Sequence, residues 1–222
     1  MNQKNKLMTV VVCLLVLSVT VMGTLAWLTD RDEVVNTFTV GNVDITVDET
    51  DVDENGEPTG KTDRVKENEY HLIPGCEYLK DPTMTVKAGS VESYVRMILT
   101  IENASGVQTI IDNCGLKDFS DLIDGWDETV WLYQGCTEDT TANTISFEFR
   151  YNKTVDASKA TEDVILEPLF TELVVPGEAT GKELADLQEG GFKMRVVGHA
   201  IQTVGFADEN AAWAAFAEQM EE

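Results

Sequence analysis

Histidine is the side chain best suited to zinc binding and to acid–base catalysis near neutral pH, and this chain contains only two, His71 and His199. They are separated by more than half of the sequence, so there is no HExxH pair to hold zinc on one helix face. His199 falls on the polar face of a predicted strand, where we expect it to be solvated. The GxSxG and P-loop motifs are also absent. The sequence therefore predicts no catalytic residue, and we expect a protein that is not an enzyme.

An acidic segment is the best candidate for metal binding. Asp51, Asp53 and Asn55 are spaced like the first oxygen ligands of a calcium loop. The second half of that pattern fails, because Thr62 stands where a bidentate glutamate is needed. We therefore predict a solvated acidic loop over residues 49–70, with weak Ca²⁺ binding as the alternative and no other cofactor.

The cysteines allow at most one internal disulfide. Cys76, Cys114 and Cys136 follow the amino-terminal apolar stretch, and there is no CxxC motif. A bond between Cys114 and Cys136 would stabilise the fold by about 3 kcal/mol. Three free thiols are equally compatible with the sequence.

The amino terminus has the pattern of an export signal. Two lysines precede an uncharged stretch over residues 7–29. Thr24 and Ala26 suit the small-residue pockets of a signal peptidase, so we predict cleavage before Trp27 and a signal helix over residues 1–26. The alternative is an uncleaved anchor, since about 20 apolar residues can span a bilayer. Contact with a membrane is expected only through this helix.

The charge balance limits the partners. The chain has 16 basic and 40 acidic residues, a formal net charge of −24. Nucleic acid is excluded as a partner, because phosphate binding needs clustered Lys and Arg. Hydrophobic residues make up 43% of the chain, which predicts a folded core.

Alternation of apolar and polar residues predicts a mostly β protein. The predicted long strands cover residues 43–47, 91–101, 145–151 and 192–200, and the shorter ones 37–40, 83–86, 130–133 and 164–175, the last interrupted at Pro168. About eight strands favour a jelly-roll-like antiparallel β-sandwich. We expect a single domain over residues 27–222.

The predicted helices are short and peripheral. Thr180 and Glu183 have the spacing of a capping box. Asp208 is placed to cap a C-terminal helix over residues 208–220, whose apolar stripe, including Trp213, should pack against the sheet. A third short helix is predicted within residues 107–124.

Several segments together resemble a known family. The stretches GTLAWLTD, NTFTVGNVDI, IPGCEYLKDPTMTVKAGSVESYVRMILTI and AIQTVGF occur in this order along the chain. They are similar to the TasA/camelysin-like exported proteins of Gram-positive bacteria, which carry a signal peptide cut by a SipW-type signal peptidase. The resemblance implies a jelly roll, export and assembly into fibres of the biofilm matrix. The camelysin branch is described as metallopeptidases, but no metal-ligand motif can be carried over to this chain.

In such fibres the amino-terminal strand of one subunit completes the sheet of its neighbour. After cleavage, residues 27–35 form a free terminus with no evident place to pack, in which Trp27, Leu28, Val34 and Val35 flank a charged centre. We predict that this segment is a donor strand, with a disordered terminus as the alternative.

The function predicted from these patterns is that of an acidic, secreted, non-catalytic protein of the cell surface or extracellular matrix. Its expected partners are a SipW-type signal peptidase and either a second copy or a related matrix protein. The alternatives are a secreted metal-dependent peptidase and a monomeric surface module held by an uncleaved anchor.

Overall fold

The structure is a computed structural model that describes residues 29–32, as backbone, and residues 43–220. Its strands are β1 Thr29–Asp32, β2 Ile45–Asp48, β3 Glu77–Leu79, β4 Thr83–Val86, β5 Ser93–Glu102, β6 Ile123–Asp124, β7 Trp131–Asp139, β8 Thr144–Tyr151, β9 Val164–Ile165, β10 Glu172–Val174 and β11 Lys193–Gln202. The helices are α1 Ala104–Cys114, α2 Gly181–Glu189 and α3 Glu209–Met220, and a 3₁₀ turn spans Phe119–Leu122.

The strands form three sheets, in which every pairing is antiparallel. The largest has the order β1-β11-β5-β8-β7, and the two smaller sheets have the orders β3-β10-β6 and β2-β4-β9. The predicted mostly β fold with short helices is confirmed. The predicted segment 164–175 is indeed divided around Pro168, since β9 and β10 belong to different sheets.

Strand β5 shows how the sequence pattern builds the core. Its residues alternate between buried and partly exposed along the whole strand, and Val95, Met97, Leu99 and Ile101 are all buried. We call the face of the large sheet that carries these residues the inner face. This alternation is the period of two that the sequence predicts.

A glycine lets the second layer approach the inner face. A Cβ atom at Gly198, on β11, would lie 2.5 Å from Cγ2 of Val47 and 2.8 Å from Cε of Met84. Both of those residues belong to the sheet β2-β4-β9, and neither leaves space for a side chain at position 198. Because Gly198 has no side chain, the two layers can lie in direct contact at this position.

Helix α3 covers part of the opposite, outer face of the large sheet, over β11. Asp208 accepts the backbone N–H of Ala211 at 2.9 Å, which confirms its predicted role as the cap. Trp213 and Phe216 are buried in a small cluster with Ile201 of β11. The predicted packing of this helix against the sheet is confirmed.

Helix α2 begins as predicted. The side chain of Thr180 accepts the N–H of Glu183 at 3.2 Å, and the Glu183 carboxylate accepts the N–H of Thr180 at 2.7 Å. This is the reciprocal capping box expected from the sequence.

Some of the predictions concern residues that the structure does not describe. These are the signal over residues 1–26, the cleavage residues Thr24, Ala26 and Trp27, the strand over 37–40, and Leu28, Val34 and Val35 of the donor segment. Across residues 29–32 and 43–220, no helix is long and apolar enough to cross a bilayer.

Candidate functional site

The centre of the predicted donor segment lies against the sheet of its own chain. Strand β1 pairs with β11, from Thr29 opposite Ile201 to Asp32 opposite Gly198. The expectation that this segment has no place to pack is therefore wrong for residues 29–32. The sequence could not reveal the partner, because four residues carry too little pattern to identify a strand so distant in the chain. Among the described strands, β1 forms one edge of the large sheet, and β7 forms the other.

A large open groove lies on the inner face at the β7 edge. Its volume is about 890 Å³. Helix α1 and the 3₁₀ turn form one wall, and the hairpin of β7 and β8 forms the other. The groove exists because, among the described residues, a helix and a turn face this end of the sheet in place of a further strand.

The floor of the groove is aromatic. The rings of Phe119 and Phe147 stack with their centroids 5.0 Å apart. Trp126 meets Phe149 edge to face at 5.3 Å and Tyr133 at 6.4 Å. Such ring pairs hold one another in place and present a preformed apolar surface.

The Trp126 ring is fixed by a hydrogen bond as well as by packing. Its Nε1–H donates to the carbonyl oxygen of Trp131 at 2.9 Å. Trp131 in turn is fully buried and donates its own Nε1–H to the carbonyl oxygen of Glu167 at 3.0 Å. The start of β7 is thus anchored in the core, and the groove floor is anchored to β7.

Strand β7 carries exposed apolar side chains on both faces. Tyr133, which lines the groove, is 46% exposed, and its neighbour Leu132, on the outer face, is 40% exposed. The pairing with β8 shifts between Tyr133 and Gly135, which places a bulge at Gln134. Partial burial raises the pKa of the Tyr133 hydroxyl, so this ring stays neutral at physiological pH. In the described part of the chain, β8 is the only strand that pairs with β7.

The rim of the groove is acidic. Asp118, Glu138 and Asp139 line it, together with a single basic residue, Lys117. Nζ of Lys117 lies 3.4 Å from Oδ2 of Asp118, so this positive charge is already matched. Hydrogen bonds from Ser120 lower the pKa of the Asp118 carboxyl, which keeps it ionised. The groove therefore combines an apolar floor with a negative rim.

The predicted calcium ligands bond within their own loop. Asp53 accepts the N–H groups of Asn55 at 2.9 Å and Glu57 at 3.0 Å. Asp51 forms an ion pair with Lys61 at 2.6 Å and accepts the Thr59 hydroxyl at 2.8 Å. These bonds of Asp51, Asp53 and Asn55 thus stabilise a hairpin. This arrangement is the one that the solvated-loop prediction describes.

The predicted acidic loop 49–70 is also held by basic residues. Arg64 bonds Asp48 at 2.5 Å and Asp81 at 3.0 Å. Lys80 forms a buried ion pair with Glu49 at 2.7 Å. These ion pairs therefore fix the loop to β2 and to the segment between β3 and β4.

The two histidines occupy different environments. His71 lies in the segment after the acidic hairpin, where its backbone N–H donates to the backbone carbonyl oxygen of Glu54 at 2.7 Å. His199 is buried on the outer face of the large sheet, beside the ring of Phe216 at 4.7 Å. The prediction that His199 is solvated is wrong, because helix α3 covers that face.

Potential metal ligands do not converge in the described residues. No group of three or more His, Cys, Asp or Glu side chains there could hold a metal ion. The side chains present at 43–220 therefore do not fit a zinc centre.

Cys76, Cys114 and Cys136 are free thiols in the structure. The proposed bond between Cys114 and Cys136 is thus not formed, and the free-thiol alternative describes this state. Burial raises the pKa of the Cys114 thiol, which disfavours the reactive thiolate. Cys136 is exposed and lies on the groove wall.

The groove was missed from the sequence. Its floor combines residues from the 3₁₀ turn, the loop before β7 and both strands of the hairpin, which come together only in the folded chain. The available signal was the high density of aromatic residues between Phe119 and Tyr151. Periodicity assigns such residues to a core, and it does not show that a core face stays open.

Comparison with known proteins supports the resemblance stated above. The model of a family described as camelysin metallo-endopeptidase matches residues 2–58. Within that range the structure describes β1, β2 and the acidic hairpin. Searches of curated proteins and of solved structures returned no match. The amino-terminal quarter of this chain is thus similar to the camelysin family.

Proposed function

We propose that this chain is an exported, non-catalytic protein of the cell surface or extracellular matrix, and that its copies assemble by exchanging the amino-terminal strand. The observation that carries this proposal is the pairing of Thr29–Asp32 with β11 at an outer edge of the large sheet. β11 accepts this segment in an antiparallel register, and a second copy offers the same segment.

The short β1 pairing is suited to exchange. Four residues form few main-chain hydrogen bonds, and an edge strand can leave without breaking the strands behind it. The same bonds form when the strand comes from a neighbour, which is the basis of domain swapping. Residues 33–42 connect β1 to the segment before β2, and ten residues reach about 33–36 Å when extended.

Signal cleavage would control this exchange. While residues 1–26 remain attached, the donor segment is tethered to an apolar helix. Cleavage before Trp27 by a SipW-type signal peptidase frees the segment to reach a neighbour. The other partner would be a second copy of this chain or a related matrix protein.

A deletion tests the proposal. The exported chain is compared with a variant lacking residues 27–35, using light scattering and negative-stain microscopy for assembly and circular dichroism for folding. We expect a folded variant that stays monomeric. A synthetic peptide with the sequence of residues 27–35 should bind this variant and not the intact chain, whose β11 edge is occupied. A folded variant that assembles at the normal rate would overturn the proposal.

The match to a metallo-endopeptidase family over residues 2–58 supports a second candidate, a secreted metal-dependent peptidase. Casein cleavage by the exported chain, measured with and without a chelator, separates the two. Chelator-sensitive cleavage that is lost on changing His71 or His199 would favour the peptidase. Amino-terminal sequencing of the exported chain decides between a released protein and a surface module held by an uncleaved anchor.

A further inference from the structure

The aromatic groove lies directly beside the β7 edge of the large sheet. This is the edge opposite the one formed by β1. It therefore plays no part in the strand exchange proposed above. From its geometry and charge we infer that it binds an extended, cationic segment of a partner protein, which adds to β7 as a strand and places alternate apolar side chains in the groove.

The first support is the position of the groove relative to the strand. Tyr133, Cys136 and Glu138 of β7 line the groove, and they pair with Phe149, Phe147 and Ile145 of β8, which also line it. Side chains alternate between the faces of a sheet, so a strand added beside β7 would present every second side chain to the groove. Main-chain bonds to the edge and pockets for alternate side chains are the two elements of recognition by strand addition.

The second support is that the edge is accessible. From Gly135 to Asp139, β7 is partly or fully exposed. A Cβ atom built at Gly135 would have no neighbouring atom within 4 Å, so the space beside this residue is open. The bulge at Gln134 ends this stretch on one side, so about five residues of edge are available. A partner segment of about five to seven residues would fill it.

Charge selects the occupant. Asp118, Glu138 and Asp139 surround the apolar floor, and the one lysine of the rim is paired with Asp118. The central part of this chain's own donor segment, from Asp30 to Glu33, contains three acids and one arginine. Like charges brought together cost free energy, whereas opposite charges steer association. The rim therefore disfavours a second copy's donor segment and favours a segment rich in Lys or Arg.

The apolar floor sets the other half of the specificity. Phe119, Trp126, Tyr133 and Phe147 offer ring faces and edges to bulky apolar side chains. Exposed aromatic residues in a preformed groove are the usual anchors of a protein interface. The expected partner segment thus alternates cationic and large apolar residues.

Three synthetic peptides test the class of partner. KVKFKVK has the expected alternation, EVEFEVE reverses its charge, and KKVFVKK keeps its composition without alternation. Binding to the exported chain is measured by fluorescence anisotropy at low salt, and the affected amides are located by NMR. We expect KVKFKVK to bind at least about tenfold more tightly than either of the other two, because charge and register both contribute. The largest amide shifts should fall between Gly135 and Asp139.

Matched variants test the site. Tyr133→Ser removes a groove residue, and Leu132→Ser removes an adjacent residue of similar exposure on the other face. We expect the first to weaken KVKFKVK at least about fivefold and the second less than twofold. Glu138→Lys should weaken binding, whereas Glu162→Lys, an exposed acid outside the groove, should not.

Several outcomes would overturn the inference. These are equal binding of EVEFEVE or KKVFVKK, equal effects of the two members of either variant pair, and absence of binding at about 1 mM peptide, a concentration that detects even weak association. Tighter binding of a peptide with the sequence of residues 27–35 would instead assign the groove to a second copy.

Discussion

Nε of Arg96 donates a hydrogen bond to Nδ1 of His199 at 3.1 Å. The guanidinium carbon of Arg96 also lies 4.3 Å from the ring centroid of Trp213 and 5.1 Å from that of Phe216. Burial lowers the pKa of Arg96, and Glu148, 3.2 Å away, opposes that effect. This cluster joins strands β5, β8 and β11 to helix α3, so the helix is fixed to the outer face by charge and aromatic contacts together.

Phe216→Ala should release helix α3 from the sheet. Phe216 is 2% exposed and contacts both His199 and Trp213. Truncating a buried phenylalanine costs about 3–5 kcal/mol, which urea unfolding would measure. Met220→Ala on the same helix is the control, because Met220 is 49% exposed. A similar loss of stability in the two variants would contradict the described packing.

Gly198→Ala should destabilise the fold even though it adds only a methyl group. The new Cβ would lie 2.5 Å from Cγ2 of Val47, which belongs to a short side chain with little freedom to move. Overpacking of this kind costs about 1–3 kcal/mol. Gly181→Ala provides the control, because no atom lies within 4 Å of the Cβ position there. If thermal unfolding showed no difference between the two variants, the close approach of the layers would be wrong.

Lys80→Met should destabilise the protein more than the double variant that also carries Glu49→Leu. Both side chains of the pair are 8% exposed. Removing the lysine alone leaves the Glu49 carboxylate buried with Asn68, at 3.1 Å, as its one side-chain hydrogen-bond donor among the described residues. Breaking one side of a buried ion pair costs about 3–5 kcal/mol, and replacing both sides by apolar residues is often neutral. Equal stability of the single and double variants, measured by urea unfolding, would count against a buried pair.

The hairpin at Asp53 should open in acid. Hydrogen bonds from the N–H groups of Glu57 and Asn55 lower the pKa of the Asp53 carboxyl. A lowered folded-state pKa means that the stabilisation is complete above the ordinary aspartate value of about 3.9 and is lost as the pH falls through the lower folded value. NMR of amides 55 and 57 between pH 6 and pH 2 should therefore show a midpoint below about 3.9. Asp53→Asn should abolish this titration, and a midpoint above the ordinary value would contradict the bonding pattern.

Salt should accelerate the proposed self-association. With a formal charge of −24, copies of the chain repel one another. The Debye length falls from about 30 Å at 0.01 M salt to about 10 Å at 0.1 M, so the repulsion shortens in range. Light scattering should show faster growth over this range and on addition of millimolar calcium. A rate that does not change with salt or calcium would argue against electrostatic control.

The elements that the sequence predicts well are those with a local signal. The strands around Met97 and Phe147, the capping box at Thr180 and the C-terminal helix capped by Asp208 each depend on residues within one element. Period-two alternation and cap spacing are sufficient there, because each residue's environment is set by its immediate neighbours.

The features that the sequence does not reveal depend on contacts between distant elements. His199 belongs to the polar face of its strand, and α3 covers that face. The sequence predicted that the helix packs against the sheet, but nothing in it showed which face. The groove needs the bulge at Gln134 and the placement of Trp126 over β8, neither of which has a local pattern. The pairing of β1 with β11 joins four residues to a strand at the other end of the chain.

The pairing of β1 with its own β11 has a consequence for the concentration at which copies could assemble. A strand on a short connection acts at an effective concentration in the millimolar range. The amino-terminal segment of a neighbouring chain must compete with the chain's own β1 for pairing with β11. At low protein concentration, each subunit therefore keeps its own β1 paired. Assembly of copies would then need a threshold concentration of chains or the end of an existing assembly. The chain would thus be secreted without premature aggregation.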